Sequence, residues 1–190
     1  AGSPPAFEAA SSPALSFVST QVASSSSSIE FTGIDNSSEK WVIEVEGVSS
    51  SGDVVNMQMH TSNDTSSHSY DTGASDYNWA LGGAYWSTCY CRYDASDDSI
   101  LTGYDPFSQG SDATNSFSGQ FIIHNPSNTT FHPMISFTTW YGSTHATPLA
   151  QMSYGLGKRN AAEAITAVKF SYTSGNIDEG RFSLYKLAHS

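Results

Sequence analysis

Ile165-Thr-Ala-Val-Lys-Phe-Ser-Tyr172 and Arg181-Phe-Ser-Leu-Tyr-Lys-Leu187 decide the fold class. Apolar and polar residues alternate in both, which is the period of a half-buried strand rather than of a helix. The segment between them carries Ser174-Gly175-Asn176 and Gly180. The pair is therefore a hairpin or a strand crossing between two sheets.

The same pattern continues upstream. Leu15 to Val22 partly alternates, Ile29-Glu-Phe-Thr32 is a short strand, and Val55-Asn-Met-Gln-Met59 alternates cleanly. Trp41 to Val48 sets Glu44 and Glu46 on one face and Ile43 and Val45 on the other. Ala84 to Tyr93 reads as one aromatic strand holding both cysteines. Gly119 to His124 ends at Asn125-Pro126, and Phe131 to Trp140 carries Pro133, which marks an edge or bulge. Ala150 to Leu156 completes the set. The polar stretches His60 to Asn78 and Asp94 to Asn115 read as long loops, and Ala161 to Ala164 is the one helical turn. About eight to ten short strands with turn signals between them predict an all-β protein, an antiparallel β-sandwich of jelly-roll type. Residues 1–14, rich in Pro, Ala and Ser, read as an extended N-terminal arm. Residues 15–190 read as a single sandwich domain.

Composition narrows the function classes. The chain has 190 residues and a net charge of −11, yet only 13% of its residues are charged. Its polar surface comes from 35 Ser and 16 Thr instead. Seven Lys and Arg supply no basic stripe, so a nucleic-acid partner is not expected. No apolar run is long enough to span a membrane, and Ala1-Gly-Ser-Pro-Pro does not read as a signal peptide. Cys89 and Cys91 stand two residues apart, too far along a strand for an easy disulfide, and are expected as buried reduced thiols. That fits assembly in a reducing cytoplasm.

No motif carries chemistry. The six histidines lack close metal spacing, although His124 and His132 flank one loop and could meet across a hairpin. There is no nucleophile elbow for a Ser-His-Asp triad. Glu44 and Glu46, about 7 Å apart on one strand face, have the separation of glycosidase carboxylates, but a solvated strand face explains them more simply. Asp94, Asp97 and Asp98 form an acidic loop, with Asp71 and Asp76 in another, without the pattern of a calcium loop. The chain is expected to be no enzyme, with no metal and no cofactor. The glycosylation triplets at Asn36, Asn63 and Asn128 are chance-level in so Ser- and Thr-rich a chain. Trp79, Tyr85, Trp86, Tyr104, Trp140 and Tyr141 remain as candidate contacts for a protein interface or a glycan.

Three stretches carry a resemblance. They are Ser24-Ser-Ser-Ser-Ser-Ile-Glu-Phe-Thr-Gly-Ile-Asp35 with Lys40 to Val48, then Ser118-Gly-Gln-Phe-Ile-Ile-His-Asn-Pro-Ser-Asn-Thr-Thr130, then Ala167 to Lys186. Their order and spacing over residues 24–187 resemble small virion structural proteins of tailed bacteriophages, marine ones especially. Lys186 stands where that group has Gly after the final Tyr. The resemblance implies a non-enzymatic virion protein on the particle exterior, a capsid decoration protein or a fibre subunit. It implies partners among the major capsid or tail proteins and assembly in the host bacterial cytoplasm. It implies a homo-oligomer, with a trimer suiting three-fold positions. A tail-fibre module that recognises host-surface glycans is the alternative.

Overall fold

A computed structural model describes residues 14–85, 88–103, 116–143 and 149–187. The expected arm at residues 1–14 lies outside these apart from Ala14. Twelve strands form the described chain: β1 (Leu15–Ser26), β2 (Ile29–Thr32), β3 (Lys40–Ser50), β4 (Met57–Ser62), β5 (Tyr77–Tyr85) and β6 (Thr88–Asp97). They continue as β7 (Ile100–Leu101), β8 (Phe117–His124), β9 (Met134–Ser143), β10 (Leu149–Arg159), β11 (Ala167–Tyr172) and β12 (Ile177–Leu187). Eight make one sheet, in the order β1-β12-β3-β8-β9-β10-β5-β6, and four make a second, β2-β11-β4-β7. Every pairing is antiparallel. The fold is thus the all-β, antiparallel sandwich that the alternation predicts. The jelly-roll connectivity is not established by this eight-and-four division. β11 and β12 lie in different sheets, so the last two strands cross between layers rather than forming a hairpin.

The core lies between the two sheets, from β12, β3 and β8 of the large one across β9 to β10 and β5. Phe170 of β11 meets the ring of Phe121 of β8 edge-on at 4.9 Å and that of Phe182 of β12 at 5.5 Å. Ile43, Ile123, Ile135 and Val168 are fully buried around them. Each inward position is the alternate residue of its strand, as a sheet with one covered face requires.

Five sequence expectations are corrected. Ala161 to Ala164 is not a helical turn but part of the irregular connection between β10 and β11. The run Ala84 to Tyr93 is not one strand but the two arms of the β5–β6 hairpin, closed at Tyr85 and Thr88. The stretch from Asp94 is not loop at once, because β6 runs to Asp97 through a bulge opposite Tyr77 and Trp79. Trp79 Nε1 donates to Asp97 Oδ2 at 2.7 Å and ties that bulge down. The polar segment between β4 and β5 is shorter than His60 to Asn78, since His60 to Ser62 extend β4 and Tyr77 begins β5. Cys89 and Cys91 are exposed rather than buried, because β6 is the last strand of its sheet and no layer among the described residues covers their face.

β10 shows an inverted pattern. Its core-facing positions are Gln151, Ser153, Gly155 and Gly157, while Met152, Tyr154 and Leu156 are exposed. The glycines face in because other residues already fill the space. A Cβ on Gly155 would stand 2.5 Å from the Ala80 carbonyl oxygen and 2.6 Å from Phe137 Cζ, and one on Gly157 would stand 2.5 Å from Ile100. Gly155→Ala is expected to cost about 1–3 kcal/mol by overpacking, because the nearest obstacle is backbone. Urea unfolding would read this as a lower midpoint, and an unchanged midpoint would refute it.

Candidate functional site

The candidate site is the outer face of the eight-stranded sheet, the side turned away from the four-stranded layer. Cross-strand register assigns its residues. Phe17 of β1 stands opposite Tyr185, then Val42 of β3, then Ile122 of β8. The row continues through Ser136 of β9, Leu156 of β10 and Ala80 of β5 to Tyr93 of β6. Seven of these eight side chains are apolar or aromatic, although Val42 among them is buried at 7% exposure and interrupts the accessible line at β3. The next row toward β10's start holds Glu44, Gln120, Thr138, Tyr154, Gly82 and Cys91. The one after it holds Arg181, Glu46, Trp140, Met152 and Ala84. On the other side of the apolar row lie Lys40, His124, Met134 and Lys158.

The apolar character concentrates on β9, β10 and β6. Trp140, Met152, Tyr154 and Leu156 are each about half-exposed, and Tyr93 is 80% exposed. An apolar hollow of ≈ 680 Å³ lies among Tyr93, Tyr154, Leu156, Ala80 and Gly82. Gly82 makes it possible, since a Cβ there would come 3.0 Å from the Tyr154 ring. A monomeric soluble protein rarely shows a contiguous apolar area of this kind, and such areas mark interaction sites.

A second hollow of ≈ 370 Å³ lies beside the β8–β9 turn, lined by His124, Asn128, Phe131, His132, Met134 and Leu156. The two histidines flanking that turn therefore do share a cleft. Each is engaged: His124 Nε2 bonds the Ser136 hydroxyl at 2.9 Å, and His132 Nδ1 donates to the Arg159 carbonyl at 3.0 Å. Burial, with help from Lys40, lowers the His124 pKa below the usual imidazole value. Among the described residues no three His, Cys, Asp or Glu come together as metal ligands.

The sequence-derived candidates divide sharply. Trp140 lies on the outer face, whereas its neighbour Tyr141 is 5% exposed and stacks on Phe117 in the core. Trp79 is 3% exposed and also belongs to the core. Neither offers a surface to a partner, because each points inward from the same sheet whose outer side Trp140 occupies. Tyr85 ends β5, its side chain outside the described residues, as are Trp86 and Tyr104. The acidic stretch is bonded within itself and to β5. Asp97 holds Trp79, Asp94 Oδ1 accepts from the Ser96 amide at 2.9 Å, and the Asp98 amide donates to Asp97 at 2.7 Å. Glu44 accepts from Gln120 Nε2 at 2.6 Å, and Glu46 pairs with Arg181 at 2.6 Å. Both carboxylates are engaged along the open sheet face, and neither lies in the two apolar hollows.

Composition and motif spacing do not single out Met152, Tyr154 and Leu156. The available signal is the alternation of large apolar residues with glycine in Met152-Ser-Tyr-Gly-Leu-Gly157, which shows that one side of the strand must carry the bulk. No protein-family model, curated protein or solved structure matches the chain.

Proposed function

We propose that this chain is a non-enzymatic structural subunit of a bacteriophage virion, displayed on the particle exterior as a capsid decoration protein or fibre subunit. The observation that supports a role in assembly is the cluster of exposed apolar side chains on the outer sheet face, Trp140, Met152, Tyr154, Leu156 and Tyr93. A strand whose bulky apolar residues face outward is suited to packing against protein, since such surface gains by leaving water. The low charge and the Ser- and Thr-rich surface suit close neighbours in a lattice. The virion assignment rests on the three stretches within residues 24–187 and their resemblance to phage structural proteins.

Purified particles test the reading. Quantitative mass spectrometry is expected to find the chain at a fixed ratio to a capsid or tail protein. Its absence from washed virions would end the proposal. A glycan-binding role is the second reading, favoured by the half-exposed Trp140 beside the polar Thr138 and Gln120. Aromatic faces flanked by hydrogen-bonding groups can stack on sugar rings. Unchanged host adsorption in Trp140→Ala particles would remove that reading.

A further inference from the structure

We propose that the outer face of the eight-stranded sheet is a self-association surface, on which a second copy of this chain packs face to face about a two-fold axis. The inference rests on reading that face as protein-facing, and it names the partner. Three properties of the face select a second copy.

The first is charge. The chain carries 18 acidic residues against seven basic ones, and two such chains repel each other across most surfaces. The four rows of the outer face differ. They hold Lys40, Lys158 and Arg181 against Glu44 and Glu46, so this face is close to neutral while the chain as a whole is at −11. Two copies can approach here without the repulsion that the rest of the surface imposes.

The second is complementarity under the two-fold operation. In an isologous contact the same patch must fit itself. An axis parallel to the rows, between the Leu156 row and the Tyr154 row, lays each strand antiparallel over its own copy. Leu156 then meets the second copy's Tyr154, and Met134 meets the second copy's Trp140. Lys40 comes over the second copy's Glu46, at the opposite edge of the patch, which its own Arg181 also holds. Each of these contacts occurs twice, and the same operation sets Val42 over the second copy's Glu44 and Ile122 over its Gln120.

The third is area. Eight strands about 4.8 Å apart and four rows about 7 Å apart span roughly 34 Å by 20 Å, or about 700 Å² per copy. A stable standard-size interface takes about 800 Å² from each partner. Aligned packing of two twisted sheets is also an ordinary way to bury such faces.

Sedimentation velocity on the full chain at micromolar concentration tests this. The wild type is expected to sediment as a dimer. Leu156→Lys is expected to give a monomer whose far-UV circular dichroism and melting temperature match the wild type. Lys40→Glu, which sets a like charge over the second copy's Glu46, is expected to weaken the dimer about tenfold. A monomeric wild type overturns the proposal, as does a trimer or larger species. So does a dimer that Leu156→Lys leaves intact, or one that Lys40→Glu does not weaken. These readouts concern the isolated chain, so their failure leaves its presence in virions a separate result.

Discussion

Arg159→Ala is expected to destabilise the protein by about 3 kcal/mol, the low end of what breaking a buried ion pair costs. Arg159 ends β10 on its inner side and is 4% exposed. Its Nε lies 2.5 Å from Asp71 Oδ2 and its Nη2 2.9 Å from Glu163 Oε2. Asp71 belongs to the polar segment between β4 and β5, and Glu163 to the segment between β10 and β11. One guanidinium thus holds two long connections against the end of the sandwich. Glu163 is further held by Asn63 Nδ2 at 2.7 Å, and the Asp71 amide donates to the Thr61 carbonyl at 3.1 Å.

The direction follows from what the truncation leaves behind. Burial pushes the Asp71 pKa up, and Arg159 opposes that push. Without the guanidinium, the carboxylate must stay charged in a desolvated place or take up a proton, and either costs free energy. The low end of the range applies because Asp71 and Glu163 both retain some exposure. Arg159→Lys is expected to lose less, since it keeps a charge but not the two-pronged geometry. The segment between β4 and β5 should become the first site of limited proteolysis in Arg159→Ala. Urea unfolding at neutral pH gives the magnitude. A loss below about 1 kcal/mol would mean that the pair behaves as a surface contact.

How far the sequence reveals this molecule depends on the strand. β8 and β11 are legible because alternation and burial largely coincide, with Phe121 and Phe170 inward. β6 is not legible. Tyr85-Trp-Ser-Thr88 contains no Gly, Pro, Asn or Asp, so nothing punctuates the run and it reads as one strand. The cysteines follow from the same gap, since exposure at Cys89 and Cys91 depends on β6 being the last strand of its sheet. Alternation also gives the period of a strand without giving its orientation. Trp140 and Tyr141 are adjacent aromatics on opposite faces, and only pairing register decides which meets solvent. On β10 the usual inference from size fails outright. Leu156 and Tyr154 face out because Phe137 and Ile100 already occupy the space beneath Gly155 and Gly157. That competition for volume lies between residues about 20 to 57 positions apart, and no local pattern encodes it.

Stability is expected to fall by about 2 kcal/mol between pH 7.5 and pH 5, through His60. His60 lies on β4 and is 5% exposed, opposite Lys169 of β11 and edge-on to the Tyr77 ring at 6.2 Å. Its Nδ1 is buried without a hydrogen-bond partner. Burial first, and then Lys169, push its pKa from 6.5 down to about 4, against a smaller opposing pull from Asp97. The folded pKa is thus below the unfolded one. Above pH 6.5 both states hold a neutral imidazole and nothing is lost. As pH falls below 6.5 the unfolded chain takes up a proton that the folded one refuses, so stability drops with acidification. The drop continues until pH 4, where the folded state also titrates. Stopping at pH 5 keeps the measurement above most carboxylate titrations. His124, whose pKa is also lowered, adds to the loss in the same direction. Replacing the ring by an apolar side chain removes both the unpaired nitrogen and the proton linkage. His60→Leu is therefore expected to match the wild type closely at pH 7.5 and to exceed it in stability at pH 5. Urea unfolding of both proteins at the two pH values decides the point, and equal pH slopes would show that His60 is not the group responsible.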